Sequence, residues 1–126
     1  MFQAQNNNDP NKKYYDLEER TFEFAKAVRI FIKKIPKTIG NIEDGKQVVR
    51  SSGSIGANYI EANESLSKKD FVMRVKISRK EAKETRFWLK LVDTGENKML
   101  ESERMELLNE VEQLMKIFGA IVTKSV

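Results

Sequence analysis

Apolar residues recur at alternating steps of three and four along most of this chain, and no other feature constrains the fold as strongly. This spacing places each run on one face of an α-helix. Four such helices can bury their apolar faces against one another, which predicts an all-α, antiparallel up-down-up-down four-helix bundle with left-handed packing. The clearest runs are Leu17, Thr21, Phe24, Val28, Phe31 and Ile35; Phe71, Val75, Ser78, Ala82, Thr85, Leu89 and Val92; and Leu108, Val111, Met115, Phe118 and Val122.

Capping and breaking residues set the expected helix boundaries at about 16–35, 41–64, 67–94 and 101–124. Asp16 and Asn41 are the expected caps of the first two helices, and Pro36 separates them. Ser67 with Asp70 forms an acidic variant of a capping box. Residues 15–126 are therefore one expected domain. Residues 1–14 are polar and Asn-rich, so we expect a disordered tail rather than a signal peptide.

The middle of the second predicted helix is crowded with small residues between Ser51 and Ala57. Such a segment has poor helix propensity, so close approach of another helix must offset the cost. A Gly/Ser phosphate loop is the competing interpretation. The segment lacks the Gly-Lys-Ser/Thr ending and a preceding strand, which argues against such a loop.

The composition excludes several kinds of catalytic and metal site. The chain has no histidine and no cysteine, so Ser-His-Asp triads, Cys-His pairs and the usual zinc sites are excluded. We expect no cofactor, no metal and no small-molecule substrate. No apolar run approaches the ~20 residues that a membrane span needs, and the lack of cysteine fits a cytoplasmic location.

The net charge of +4 is concentrated on the third predicted helix, because residues 67–94 contain nine Lys/Arg but only four Asp/Glu. These cations fall opposite the apolar stripe or beside it, and could bind successive phosphates of RNA or DNA. A solvated outer face is the alternative. We expect no aromatic residues among the lysines, which weakens a single-strand interpretation. The candidate residues are Lys69, Lys76, Arg79, Lys80, Lys83, Arg86 and Lys90.

A second flank of the same helix carries Ile77, Trp88 and Leu91. One four-helix monomer has difficulty burying two apolar flanks of one helix, and aromatic residues are enriched at interfaces. We therefore expect a homo-oligomer interface here, with extra core as the alternative.

Several polar residues invite an enzymatic interpretation. Glu61, Glu81 and Glu84 could bind a divalent cation or act as acid and base. Nearby cations, including Arg50, favour structural ion pairs instead. Asn58 is most simply a polar group bonded to a neighbouring helix.

Two motifs resemble a known family. The stretch from Arg50 to Asn58, followed by Glu61 and Ala62, resembles the second helix of the four-helix-bundle proteins of the 23S ribosomal RNA intervening-sequence family. The stretch from Asp70 through Lys76–Thr85 to Trp88 and Leu89 resembles that family's third helix. The resemblance implies a small bacterial cytoplasmic protein without established catalytic activity.

The accessory proteins of diversity-generating retroelements are related bundles that assemble as pentamers and bind nucleic acid. The resemblance therefore implies a ring-like homo-oligomer, with a pentamer as the expected state. It also implies that Arg50, Asn58, Glu61, Glu81 and Glu84 form a structural polar set.

These observations lead to one main hypothesis and one alternative. The main hypothesis is a non-enzymatic, homo-oligomeric bundle that binds RNA or DNA through the basic face of the third helix. The alternative is a protein-docking or scaffold module without nucleic-acid binding, and a metal-dependent enzyme is the weakest candidate.

Overall fold

The computed structural model describes residues 16 to 125, and this part of the chain folds into four α-helices with no strand. Residues 1–14, the expected disordered tail, lie outside the described residues. The helices are α1 (Asp16–Lys34), α2 (Ile39–Asn63), α3 (Lys68–Leu91) and α4 (Lys98–Ser125). Each helix packs against the next one in the chain, and α1 also packs against α4. Among residues 16–125, no helix is long and apolar enough to cross a membrane.

The apolar stripes of α1 and α3 form the core as their spacing predicts. All six stripe residues of α1 are buried, and on α3 only Phe71 is half-buried. On α4 the prediction is partly wrong: Leu107 and Leu114 are fully buried, whereas Leu108 and Met115 pack around the core half-buried. The core stripe of α4 shares Val111 and Phe118 with the predicted one but is rotated by roughly half of the 100° that separates successive residues, because packing against α3 and α1 decides which face points inward.

Local capping signals identify the start of α3 correctly. The Ser67 side chain accepts a hydrogen bond from the backbone N–H of Asp70, as a capping box requires. The other end differs from expectation, since α3 stops at Leu91 and Val92 caps it. Gly95, one residue beyond the expected end at about 94, lies in the following loop with a positive φ of 67°.

The predicted cap of α2 is wrong. Thr38 is the N-cap, and its hydroxyl accepts a hydrogen bond from the Asn41 backbone N–H. Asn41 is buried, and its side-chain amide donates to the carbonyl oxygens of Pro36 and Asp93 at 2.8 and 2.7 Å. Its Oδ1 accepts from the Asp93 N–H at 2.9 Å. Asn41 therefore joins the α1–α2 loop to the α3–α4 loop.

The small residues of α2 allow close approach of α1 at one point. A Cβ on Gly56 would lie only 2.7 Å from Thr21 Oγ1, so only glycine fits here without a shift of α1. Ser51 of α2 and Ser78 of α3 are both fully buried where these two helices meet. The Ser78 hydroxyl donates to the Ile55 carbonyl oxygen at 2.9 Å. The prediction that tertiary contact offsets weak helix propensity is therefore consistent with the packing at Gly56.

Candidate nucleic-acid interface

Five exposed lysines of α3 form a basic face, which we define as Lys69, Lys76, Lys80, Lys83 and Lys90. Four of these recur every seven residues, so they lie in a nearly straight row on one side of the helix. From Lys69 to Lys90 the row extends roughly 31 Å at the helical rise per residue. The buried stripe from Val75 to Leu89 fixes this row on the opposite, outward side.

The lysines of the basic face carry no ion pair with any residue between 16 and 125. Some surface lysines elsewhere are paired: Lys34 lies 3.2 Å from Glu103 and Lys46 lies 3.5 Å from Glu43. The charge of the basic face is therefore not neutralised by neighbouring carboxylates.

Arg79 and Arg86 lie beside the basic face, at the seam between α3 and α4. Arg86 forms an ion pair with Glu112 at 3.6 Å. Arg79 packs over Gly119, where a Cβ would lie 3.5 Å from its Nε. Both arginines line a shallow pocket together with Lys116. Sequence reasoning missed Lys116 because it lies on a different helix, whose net charge is negative.

On the other flank of α3, the charged residues are paired with α2. The Arg50 guanidinium donates to both carboxylate oxygens of Glu84 at 2.7 Å and to Glu81 at 3.3 Å. Chiefly through this hydrogen bond, Arg50 lowers the pKa of the Glu84 carboxyl below its ordinary value of 4.5. The same bond raises the pKa of Arg50. Three members of the expected polar set therefore meet in one ion-paired cluster.

The two remaining members of that set lie elsewhere. The Asn58 amide donates to the Ser54 backbone oxygen at 2.9 Å, and its Oδ1 accepts from Arg74 of α3 at 3.2 Å. The Glu61 side chain is exposed near the end of α2. Within residues 16–125, no group of three or more acidic, histidine or cysteine side chains could hold a metal ion. The carboxylates that invited an enzymatic interpretation are thus divided between an ion pair and solvent.

The three candidate interface residues differ in exposure. Ile77 and Trp88 are half-buried, and Trp88 packs against the core. Leu91 has 52% of its surface exposed. Among residues 16–125 the buried Trp88 Nε1 has no hydrogen-bond partner, although the indole lies close enough to Glu84 to help lower its pKa. Trp88 thus packs as extra core, the alternative for this flank, and Leu91 is the most accessible of the three candidate residues.

Phe87 corrects the expectation that no aromatic residue lies among the lysines. It follows Lys83 by four residues and precedes Lys90 by three, so it lies on the same face, and 57% of its surface is exposed. Its ring meets the Trp88 ring edge-on, with centroids 5.0 Å apart. The helical projection that identified the lysines could also have found Phe87, because it falls at the same angle.

A second exposed apolar surface, which sequence reasoning missed, lies between α1 and α2. This groove contains Phe22 and Ile60, which are 61% and 45% exposed, above the small residues Gly53 and Ala57. These residues lie off the predicted core stripes, and only the pairing of α1 with α2 brings them together.

Residues 16–125 thus define a class of protein: an all-helical bundle of four helices, here with a row of exposed lysines along α3. The sequence profile of the 23S rRNA-intervening sequence proteins matches residues 13–120. The chain therefore belongs to the 23S rRNA-intervening sequence protein family, as the resemblance of its second and third helices indicated.

A solved structure supports the same assignment. The chain is similar to a protein of unknown function from the S23 ribosomal protein family of Bacteroides thetaiotaomicron, with a TM-score of 0.71 and 28% sequence identity. The match covers 84% of this chain and 97% of the other. No curated protein matches the chain.

Proposed function

We propose that this protein is a non-enzymatic, ring-forming bundle that binds the phosphate backbone of RNA or DNA through the basic face of α3. The observation that carries this proposal is the lack of ion pairs at Lys69, Lys76, Lys80, Lys83 and Lys90 within residues 16–125. Unpaired cations in a row attract a polyanion and release its bound counterions, which makes the affinity independent of sequence and sensitive to salt.

The outward direction of the basic face supports this role. An antiparallel bundle with left-handed packing keeps the apolar stripe of α3 inside, so its opposite face is rigidly displayed. Contacts between neighbouring helices agree with that topology: Arg50 meets Glu84 while Asn58, later in α2, meets Arg74, earlier in α3. The helix backbone fixes the spacing of these cations in advance, so only their side chains lose conformational freedom, at about 0.5–1.5 kcal/mol for each lysine that the ligand immobilises.

Charge reversal of Lys76, Lys80 and Lys83 together is the direct test. We expect the triple Lys→Glu variant to lose binding of a labelled RNA or DNA oligonucleotide at low salt, measured by fluorescence anisotropy. The matched control reverses Lys33, Lys37 and Lys98, which are also exposed and change the net charge equally. An equal loss of binding in both variants would show that only the net charge matters. A wild-type protein that binds no nucleic acid would contradict the proposal.

The homo-oligomer is the second part of the proposal. A cyclic ring other than a dimer needs two different surfaces on each subunit, because each contact is heterologous. Among the described residues, two separate apolar surfaces suit such a contact: the flank of α3 that carries Ile77, Trp88 and Leu91, and the groove between α1 and α2. We propose that one docks onto the other, and that the ring is the pentamer the family resemblance implies.

Leu91→Glu tests this assembly with the least damage to the fold. Trp88 packs against the core, so a charge there would also destabilise the monomer. Leu91 is half-exposed, so Leu91→Glu should lower the mass measured by sedimentation while helicity stays unchanged. Met99→Glu, at an exposed methionine at the start of α4, is the control. A wild-type protein that sediments as a monomer would contradict the ring.

A protein-docking module without nucleic-acid binding is the alternative function. The groove between α1 and α2 favours it, because an amphipathic helix could lie over Gly53 and Ala57 between Phe22 and Ile60. Recovery of one protein partner that resists nuclease treatment, from a wild-type protein that binds no nucleic acid, would favour this alternative.

A further inference from the structure

Phe87 differs from the other exposed aromatic ring of the described chain. Phe22 on α1 is equally exposed, but the ammonium group of Lys26 lies over its ring, 5.6 Å from the centroid. Among the residues that the structure describes, Phe87 has a ring contact with Trp88 alone, and that contact is edge-on at 78°. The face of the Phe87 ring is therefore free of a covering cation.

The Trp88 contact also limits the movement of the Phe87 ring. Trp88 is itself held against the core, and edge-on aromatic pairs are favourable beyond the area that they bury. An exposed ring held in this way is prepared for stacking, because less side-chain freedom is lost when a flat group lies on it.

The charges around Phe87 favour an anionic ligand. Lys83 and Lys90 lie about one turn to either side of it on the same face of α3. The nearest carboxylate on this helix, Glu84, is bound by both oxygens to Arg50. A ligand that stacks on Phe87 would thus meet cations in both directions along the helix and little repulsion.

We propose that Phe87 is a stacking platform for one base of a single-stranded nucleic acid, whose flanking phosphates lie on Lys83 and Lys90. This inference rests on the proposed nucleic-acid binding and adds the ligand class: a strand with unpaired bases rather than a duplex. A base inside a duplex cannot present its face to a side chain, whereas a single strand can splay its bases onto aromatic rings.

The test compares Phe87→Leu, Phe87→Tyr and the control variant Met105→Ala in the full chain. The probes are a single-stranded RNA, a single-stranded DNA of the same sequence and the corresponding duplex, measured by anisotropy at one low salt concentration. Leucine keeps apolar area but has no ring, so Phe87→Leu should weaken binding of both single strands about 5- to 100-fold. Phe87→Tyr keeps the ring and should bind within about twofold of wild type.

The controls separate stacking from folding and assembly. Met105→Ala removes an apolar side chain of α4 that is 61% exposed and lies away from the basic face and from both proposed docking surfaces, so its binding should equal that of wild type. All three variants should keep the wild-type mass and thermal midpoint. The chain has one tryptophan, next to Phe87, so its fluorescence should change when a single strand binds and much less with the duplex.

The outcomes distinguish this inference from the proposal beneath it. A wild-type protein that binds no nucleic acid would overturn both. Binding that depends on the lysines but is equal in Phe87→Leu and Met105→Ala would overturn the stacking platform alone, as would tighter binding of the duplex than of either single strand.

Discussion

The seams between helices and the outward face of α3 use charged side chains in opposite ways. In the seams, Arg20 meets Glu110 and Arg50 meets Glu81 and Glu84. On the outward face, five lysines have no carboxylate partner within residues 16–125. The modest net charge of the whole chain therefore conceals a strong positive field at the basic face of α3. Two acidic residues of α3, Glu81 and Glu84, do not weaken this field, because Arg50 of α2 pairs with them on another side of the helix.

This comparison separates stability from binding. Seam pairs should matter for the free energy of unfolding and little for nucleic-acid affinity, and the basic face should show the reverse. The following predictions test that separation, beginning with the largest expected effect.

Arg20→Ala should be the most destabilising change. Arg20 donates to both oxygens of Glu110 at 2.6 and 2.9 Å, and the Glu110 side chain is only 4% exposed. Removal of Arg20 leaves a buried carboxylate unpaired, which costs about 3 kcal/mol. Denaturant unfolding monitored by circular dichroism would measure this loss. Arg29→Ala, at an exposed arginine on the same helix, is the control. A similar loss in both variants would contradict a specific role for the buried pair.

Arg50→Gln should have a smaller effect. Its partner Glu81 is buried, but the Arg50 side chain is 48% exposed, so solvent screens the interaction. We expect a loss of about 1 kcal/mol in the free energy of unfolding, with unchanged affinity for nucleic acid at equal folded concentration. If Arg50→Gln lost as much affinity for nucleic acid as the triple lysine variant, the seam pairs would also contribute to binding, which would contradict the comparison.

The smallest predicted effect is a dependence of the stability on pH that arises from the Glu84 carboxyl. The folded-state pKa of Glu84 lies below its ordinary value of 4.5, so its contribution is complete above pH 4.5. As the pH falls below 4.5, through the folded pKa, that contribution is lost. Unfolding midpoints measured from pH 6 to pH 3 should fall less steeply in Arg50→Gln than in wild type. Parallel curves would show that Arg50 does not control this carboxyl.

Sequence reasoning succeeded where the determining interactions are local. The start of α3 follows from Ser67 and Asp70, three residues apart, and the resulting hydrogen bond is present. The stripes of α1 and α3 follow from helical periodicity, and their residues are buried apart from half-buried Phe71. Of the seven candidate nucleic-acid residues, six are exposed, and Arg86 is half-buried by its pairing across the α3–α4 seam.

The failures share a non-local cause. Asparagine is a residue type that often caps helices, but the side chain of Asn41 is bonded to the backbone of Asp93, 52 residues away. The early start of α4 at Lys98 is a local exception, because the Asn97 side chain accepts from the Leu100 N–H only three residues later. The apolar groove between α1 and α2 exists only because Phe22 and Ile60 come from two helices. No single helical projection contains these relations.

The salt dependence of binding by the wild-type protein tests the central claim most directly. Each lysine of the basic face that meets a phosphate of a single strand should contribute about 0.7 to the slope of log affinity against log salt concentration. Five contacts predict a slope of about −3.5 for wild type, and the triple Lys→Glu variant should lose most of it. An affinity that does not change between low and physiological salt would contradict the account.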